Sequence, residues 1–195
     1  MTPRRCRPAW FPGVALLALL STLASLAASA SEIDANASRI GFNLQTRWGQ
    51  VLEGRFPSIR GVVDDLGDGR HRVRLVLATR DVEIVGHSGY TRFTRGAGFF
   101  DAEHWPQAEF LSDPYPPALL RDGGRLGGIL RMRGVQHHEV FVVLPATCER
   151  PGRDCDVVAS GHVRRSDYGM DRWRIAVGDD VRFSLRMRLR ADAVR

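Results

Sequence analysis

The 195 residues contain no lysine; all 28 basic residues are arginine. Chemistry that needs an amine nucleophile or a Schiff base is excluded with it. Cysteine is scarce too, with Cys6, Cys148 and Cys155 in no CxxC spacing, which argues against a redox motif or a zinc ribbon. After residue 28 no hydrophobic run is long enough for a spanning helix. No glycine-rich phosphate loop follows a strand, and Ser166 has no nucleophile-elbow context. Helical periodicity is rare. What remains is an ordinary apolar content of 44%, with 20 Gly and 10 Pro, which leans toward turn-rich β structure.

Met1 to Ala30 reads as a cleavable signal peptide. Arg4, Arg5 and Arg7 form a positive n-region, an apolar stretch opens at Val14, and Ala28-Ser29-Ala30 is a small-x-small cleavage site. Cys6 lies in the n-region rather than at the cleavage point, so a lipoprotein anchor is not expected. Removal leaves 165 residues, 31–195, expected to form one domain; the formal charge falls from +6 to +3 because three Arg and no acid are lost. That balance is too mild and too dispersed for nucleic acid. The destination is the periplasm or the medium. In that oxidising setting Cys148 and Cys155, brought together by a Pro151-Gly152 turn, are expected to form a disulfide.

Period-two alternation recurs along the rest of the chain. Ile40, Phe42 and Leu44 alternate with Gly41, Asn43 and Gln45, Val73, Leu75 and Leu77 with Arg72, Arg74 and Val76, and Leu130 and Met132 with Arg131 and Arg133. Val181 to Arg190 places five apolar residues against four Arg and one Ser, so a strand there has one oily and one wet face. Val140 to Leu144 is apolar throughout, as for a strand covered on both sides. Turn signals at Gly67-Asp68-Gly69, Asp122-Gly123-Gly124, Pro151-Gly152 and Gly178-Asp179 separate about eight strands. Gly86 to Pro117 breaks the pattern and is expected to hold a short helix near Ser88–Arg95 and a long connection. The fold class is all-β, an antiparallel barrel or sandwich with a short helical insertion. An interior of that size is either filled by side chains or holds one small ligand.

Several stretches, taken in order, resemble the YceI-like family of exported bacterial proteins. They are Ile33 to Phe42, Gly54-Arg55-Phe56 with Gly61-Val62-Val63, Phe99-Phe100-Asp101-Ala102-Glu103-His104-Trp105-Pro106 with Ala108-Glu109-Phe110, Arg131 to Val135, Arg165 to Met170, and Val177 to Val181. The resemblance covers nearly all of residues 32–190. It implies an eight-stranded antiparallel β-barrel of extended lipocalin-like shape, periplasmic or secreted, holding a polyisoprenoid or similar long-chain lipid. Two features depart from the family. The usual Arg-Asp-x-His-Leu before Phe-Phe-Asp is replaced here by Ser88 to Gly98, and the cysteine pair is not general.

On this reading the oily strand faces supply the lining: Ile40, Phe42, Leu44, Leu75, Leu77, Leu130, Val140, Val142, Phe183, Leu185, Met187 and Leu189. The same residues would serve equally as plain core. Phe93, Phe99, Phe100, Trp105 and Phe110, in the irregular segment, either gate one end or pack the helix onto the barrel. No catalytic residue and no metal site are expected. His137 and His138 are strand neighbours pointing to opposite faces, and Asp101, Glu103 and His104 read as turn structure. No cofactor is expected beyond a bound isoprenoid or quinone-like molecule. The partners are a long-chain lipid and a transient membrane surface touched by the Arg-rich face at Arg182, Arg186, Arg188 and Arg190, with room for a homodimer. An enzyme acting on a hydrophobic substrate and a filled-barrel partner-binding or stress-response protein are the alternatives.

Overall fold

The computed structural model describes residues 30–191, so the expected signal peptide, Ala30 apart, lies outside the described residues. Among these residues one antiparallel sheet of eleven strands curls into a barrel-like wall. The strands are β1 (Ala30–Glu32), β2 (Arg39–Thr46), β3 (Val51–Arg55), β4 (Ile59–Asp65), β5 (His71–Ala78), β6 (Glu83–Ile84), β7 (Gln107–Ser112), β8 (Gly124–Met132), β9 (Val135–Val143), β10 (Val157–Arg164) and β11 (Val177–Met187). Their order is β1-β4-β5-β7-β8-β9-β10-β11-β2-β3-β6. Helix α1 (Ser88–Arg95) and the short α2 (Ala118–Asp122) sit in connections. Among the described residues no helix is long and apolar enough to cross a membrane.

The alternating segments become strands because the pleat sends every second side chain to one face. In β2, Ile40, Phe42, Leu44 and Thr46 are buried, and their neighbours are not. The segment after β1 ties β4 to the chain just past β11. The Ile33 amide donates to Gly61 O at 2.9 Å on β4, Asp34 N donates to Arg188 O at 2.8 Å beyond β11, and Ile33 bridges Leu189.

Eleven strands replace the expected eight. β1 and β6 have three and two residues, too short for any alternation to show. β7 is a central strand rather than part of a long connection; Ala108, Phe110 and Ser112 face inward from it. α1 occupies the expected span, whereas α2 was not anticipated. On β9 the inward residues are Phe141 and Val143, not Val140 and Val142; Val142 is 45% exposed. An all-apolar run has no period of its own, so its neighbours set the register. Phe141 faces Gly161 across the β9–β10 pair, and a Cβ on Gly161 would collide with the Phe141 ring. The large ring therefore takes the interior, and the two valines turn out.

Candidate ligand-binding cavity

Inside the curl lies a cavity of about 580 Å³. Its walls come from the inward faces of most strands. Of the expected lining, Ile40, Leu75, Leu77, Leu130, Phe183, Leu185, Met187 and Leu189 border it. Phe42 and Leu44 do not; with Phe183 they border a separate void of about 30 Å³ at the far end. Val140 and Val142 lie on the outer face, and Phe141 and Val143 take their places in the wall. Val73, Leu185, Met187 and Leu189 are only partly buried although they face inward. They look onto the hollow rather than onto packed neighbours, which sets this interior apart from a filled one.

Aromatic rings stack beneath the cavity as its floor; Phe183 borders the hollow, and Phe42, Phe56 and Phe100 lie behind it. Phe42 packs against Phe56, Phe100 and Phe183 with centroids 5.6, 6.3 and 5.9 Å apart, and Phe56 meets Phe100 edge-on at 5.6 Å. Gly54 opposite Phe42 makes this arrangement fit, because a Cβ there would fall within the Phe42 ring. The five aromatics expected as a gate do not gather at the opening. Phe100 is part of the floor, Phe110 lines the wall from β7, and Phe99 lies under the Arg165 guanidinium at 5.7 Å. Phe93 is 59% exposed beside Trp173, and Trp105 covers Gly134. Those not in the wall or floor pack the outer connections.

The opening lies at the opposite end, where β10 begins and β11 runs out. Its rim is polar: Ser31, Asp65, Arg121, Glu149, Arg150, Arg153 and Arg188 border it, with α2 alongside through Leu120. The Cys148–Cys155 disulfide forms as expected, with Cα atoms 6.0 Å apart, and it holds the loop that carries Glu149 to Arg153. Rim charges are largely engaged. Arg150 donates twice to Asp154 at 2.9 and 2.8 Å, and Arg188 donates to Asp156 at 2.6 Å and to Arg153 O at 2.9 Å. The Arg150–Asp154 contact holds the guanidinium above, and the carboxyl below, its ordinary range.

Two further polar residues border the cavity beside Asp65. The backbones of His71 and Tyr115 are joined by a pair of 2.8 Å hydrogen bonds, and their rings meet edge-to-face at 6.1 Å. Both border the cavity. Burial pushes the Tyr115 phenol up to about 12, so it stays neutral and able to donate at any ordinary pH. Sequence reasoning missed this pair and α2. The signal for α2 was present in Tyr115-Pro116-Pro117-Ala118 followed by Gly123-Gly124, since proline before and glycine after a helical turn mark its ends; the pair leaves no local signal.

The residues with acid–base character lie elsewhere. His104 sits on the exposed turn, its Nδ1 2.9 Å from Asp101 Oδ1, and this bond raises its pKa. His137 contacts Asp167 O at 3.0 Å, while His138 contacts Asp113 at 2.8 Å from the other face of β9. Arg165 is 2% exposed and donates to the carbonyls of Gly178, Met170, Arg172 and Val177, tying the 169–178 loop to β11.

A YceI-like domain family matches residues 32–189. No curated protein matches the chain. Among solved structures, Burkholderia cenocepacia BcnA superposes with a TM-score of 0.64 at 21% identity, covering 80% of this chain and 98% of that one. A polyisoprenoid binding domain from Saccharophagus degradans, described as implicated in plant cell wall breakdown, gives 0.62 at 13% identity, covering 82% and 97%. The Campylobacter jejuni YCEI protein gives 0.58 at 18%, covering 71% and 85%. Identities this low speak for a shared fold only. The family match itself runs from the end of β1 to just past β11 and takes in every wall of the cavity, and on that ground the chain belongs to the YceI-like domain family.

Proposed function

We propose that this protein is an exported carrier or buffer that sheathes the tail of a polyisoprenoid or similar long-chain lipid, with no catalytic step. The observation that carries this reading is the hollow: about 580 Å³, walled by aliphatic and aromatic side chains and open at one polar end. That volume falls within the ~300–1,000 Å³ of typical small-molecule cavities. At roughly 30 Å³ per methylene-sized group, it accepts on the order of 20 such groups. The polyisoprenoid-binding description of the Saccharophagus degradans domain, which shares the fold, supports the same class of ligand.

The energetics favour exchange. Each methylene leaving water gains ~0.8 kcal/mol, but a membrane offers the tail the same gain. Transfer between bilayer and cavity is therefore close to neutral, and the protein loads and unloads according to supply. Export through the Met1–Ala30 segment places it where such lipids must cross an aqueous gap, and brief contact of the arginine-bearing rim with a membrane surface gives the tail a route in. The test is lipid extraction from protein produced in a bacterial periplasm. A long-chain lipid near one per protein is expected. Protein that emerges empty, and stays empty when offered prenyl lipids, overturns the reading.

A further inference from the structure

We propose that the end of the barrel beneath the aromatic floor is a docking surface for an anionic phospholipid bilayer. Three connections meet there: the turn between β2 and β3, the segment carrying α1, and the 169–178 loop that leads into β11. Arg47 N donates to Ala176 O at 2.9 Å, and Phe93 on α1 meets the Trp173 ring edge-on at 6.1 Å. Their large apolar side chains face water rather than core. Ile175 is 88% exposed and Trp48 79%, and Val51, Phe93 and Trp173 are all more than half exposed. Apolar side chains gathered in one exposed patch mark an interaction site. The opening lies at the other end, so a molecule docked here keeps its rim free to meet a second surface.

The backbone holds these side chains outward. Trp48 stands in a tight turn closed by Gly49 N to Thr46 O and Gln50 N to Thr46 Oγ1, both at 3.0 Å. Trp173 has a φ of 64°, a left-handed conformation that bulky residues rarely adopt. Arg165 anchors its loop from within and so sustains that strain, which leaves the indole at the surface. Charge selects the occupant. Residues 46–51, 85–98 and 169–178 carry five Arg and one Asp, and that Asp171 is paired with Arg174 at 2.7 Å. A second copy seated here would press these arginines together. A rigid acidic protein would need a matching hollow for each protruding turn. A bilayer deforms around them: its anionic head groups neutralise the arginines, and its interface accepts the indole rings.

The test is co-sedimentation of the protein, residues 31–195, with vesicles of phosphatidylglycerol and phosphatidylethanolamine, set against vesicles of phosphatidylcholine. Binding to the anionic vesicles is expected, about tenfold or more above that to phosphatidylcholine, and it should fall as salt is added. Trp48→Ser combined with Ile175→Ser should weaken it about tenfold, and Arg92→Gln about fivefold. These side chains are exposed and do not border the cavity, so each variant should keep the wild-type Tm and still take up a fluorescent apolar probe. No binding to the anionic vesicles, which would leave the patch to a protein partner, overturns the proposal. So does equal binding to both kinds of vesicle, or binding that survives the paired substitution, as contact through the rim would. A wild-type dimer in sedimentation equilibrium that the paired substitution dissolves would make the patch a self-association surface instead, and would also overturn it. Probe uptake is read separately, so failure of docking leaves the carrier reading standing.

Discussion

Arg165 shows how one residue shapes this molecule away from its cavity. Its guanidinium is buried without a direct carboxylate partner, and burial pushes its pKa down. Four backbone carbonyls from the 169–178 loop and β11 compensate it instead. The planar fork reaches several acceptors at once, which an ammonium on a flexible stem does not. Arg165→Met should therefore cost roughly 3–5 kcal/mol in chemical denaturation, and Arg165→Lys should recover little of it. A loss under about 1 kcal/mol for either variant would show that the carbonyls find other partners. His104 offers a second test. Its bond to Asp101 raises its pKa above the ordinary 6.5. The stabilisation this gives is complete below the ordinary value and fades as pH rises through the raised one. NMR titration should find His104 titrating above 6.5 in the wild type and near 6.5 in Asp101→Asn; no difference between the two would remove the pair from the account.

Among the elements, the loop closed by Cys148–Cys155 contributes both stability and shape. Closing a loop this short restricts the unfolded chain by about 2–3 kcal/mol, so the double Cys→Ser variant should lose about that much. Because Glu149 to Arg153 border the opening, the same variant should release a bound probe faster while its equilibrium affinity changes less; an unchanged off-rate would mean that the rim does not limit exit. How legible the elements were depends on how much pattern each one carries. Val181 to Leu189 alternates so regularly that its inner face could be named residue by residue, and Phe183, Leu185, Met187 and Leu189 all border the cavity. Val140 to Leu144 alternates not at all, and its facing was decided by Phe141 against Gly161, a fit across two strands that no local window contains. Phe110 was hidden for a similar reason: Leu111 beside it blurs the alternation of β7. His71 and Tyr115 are 44 positions apart and become neighbours only when β5 pairs with β7.

On the scale of the whole molecule, the wall is continuous, the floor is aromatic, and a large hollow lies between them. Proteins ordinarily fill such space, since each missing contact weakens the core. Keeping it open is intelligible if a ligand supplies those contacts for part of the time. Filling it from within should then abolish binding without harming the fold. Leu185, partly buried and facing the cavity, is the place to do so, because Leu185→Trp has room for the larger ring. The most direct measurement is native mass spectrometry of wild type and Leu185→Trp, each incubated with a prenyl alcohol of about twenty carbons. The account predicts a single bound chain on the wild type and none on Leu185→Trp, with both proteins equally stable. A wild type that takes up no chain, or a variant that binds as well as the wild type, would contradict it.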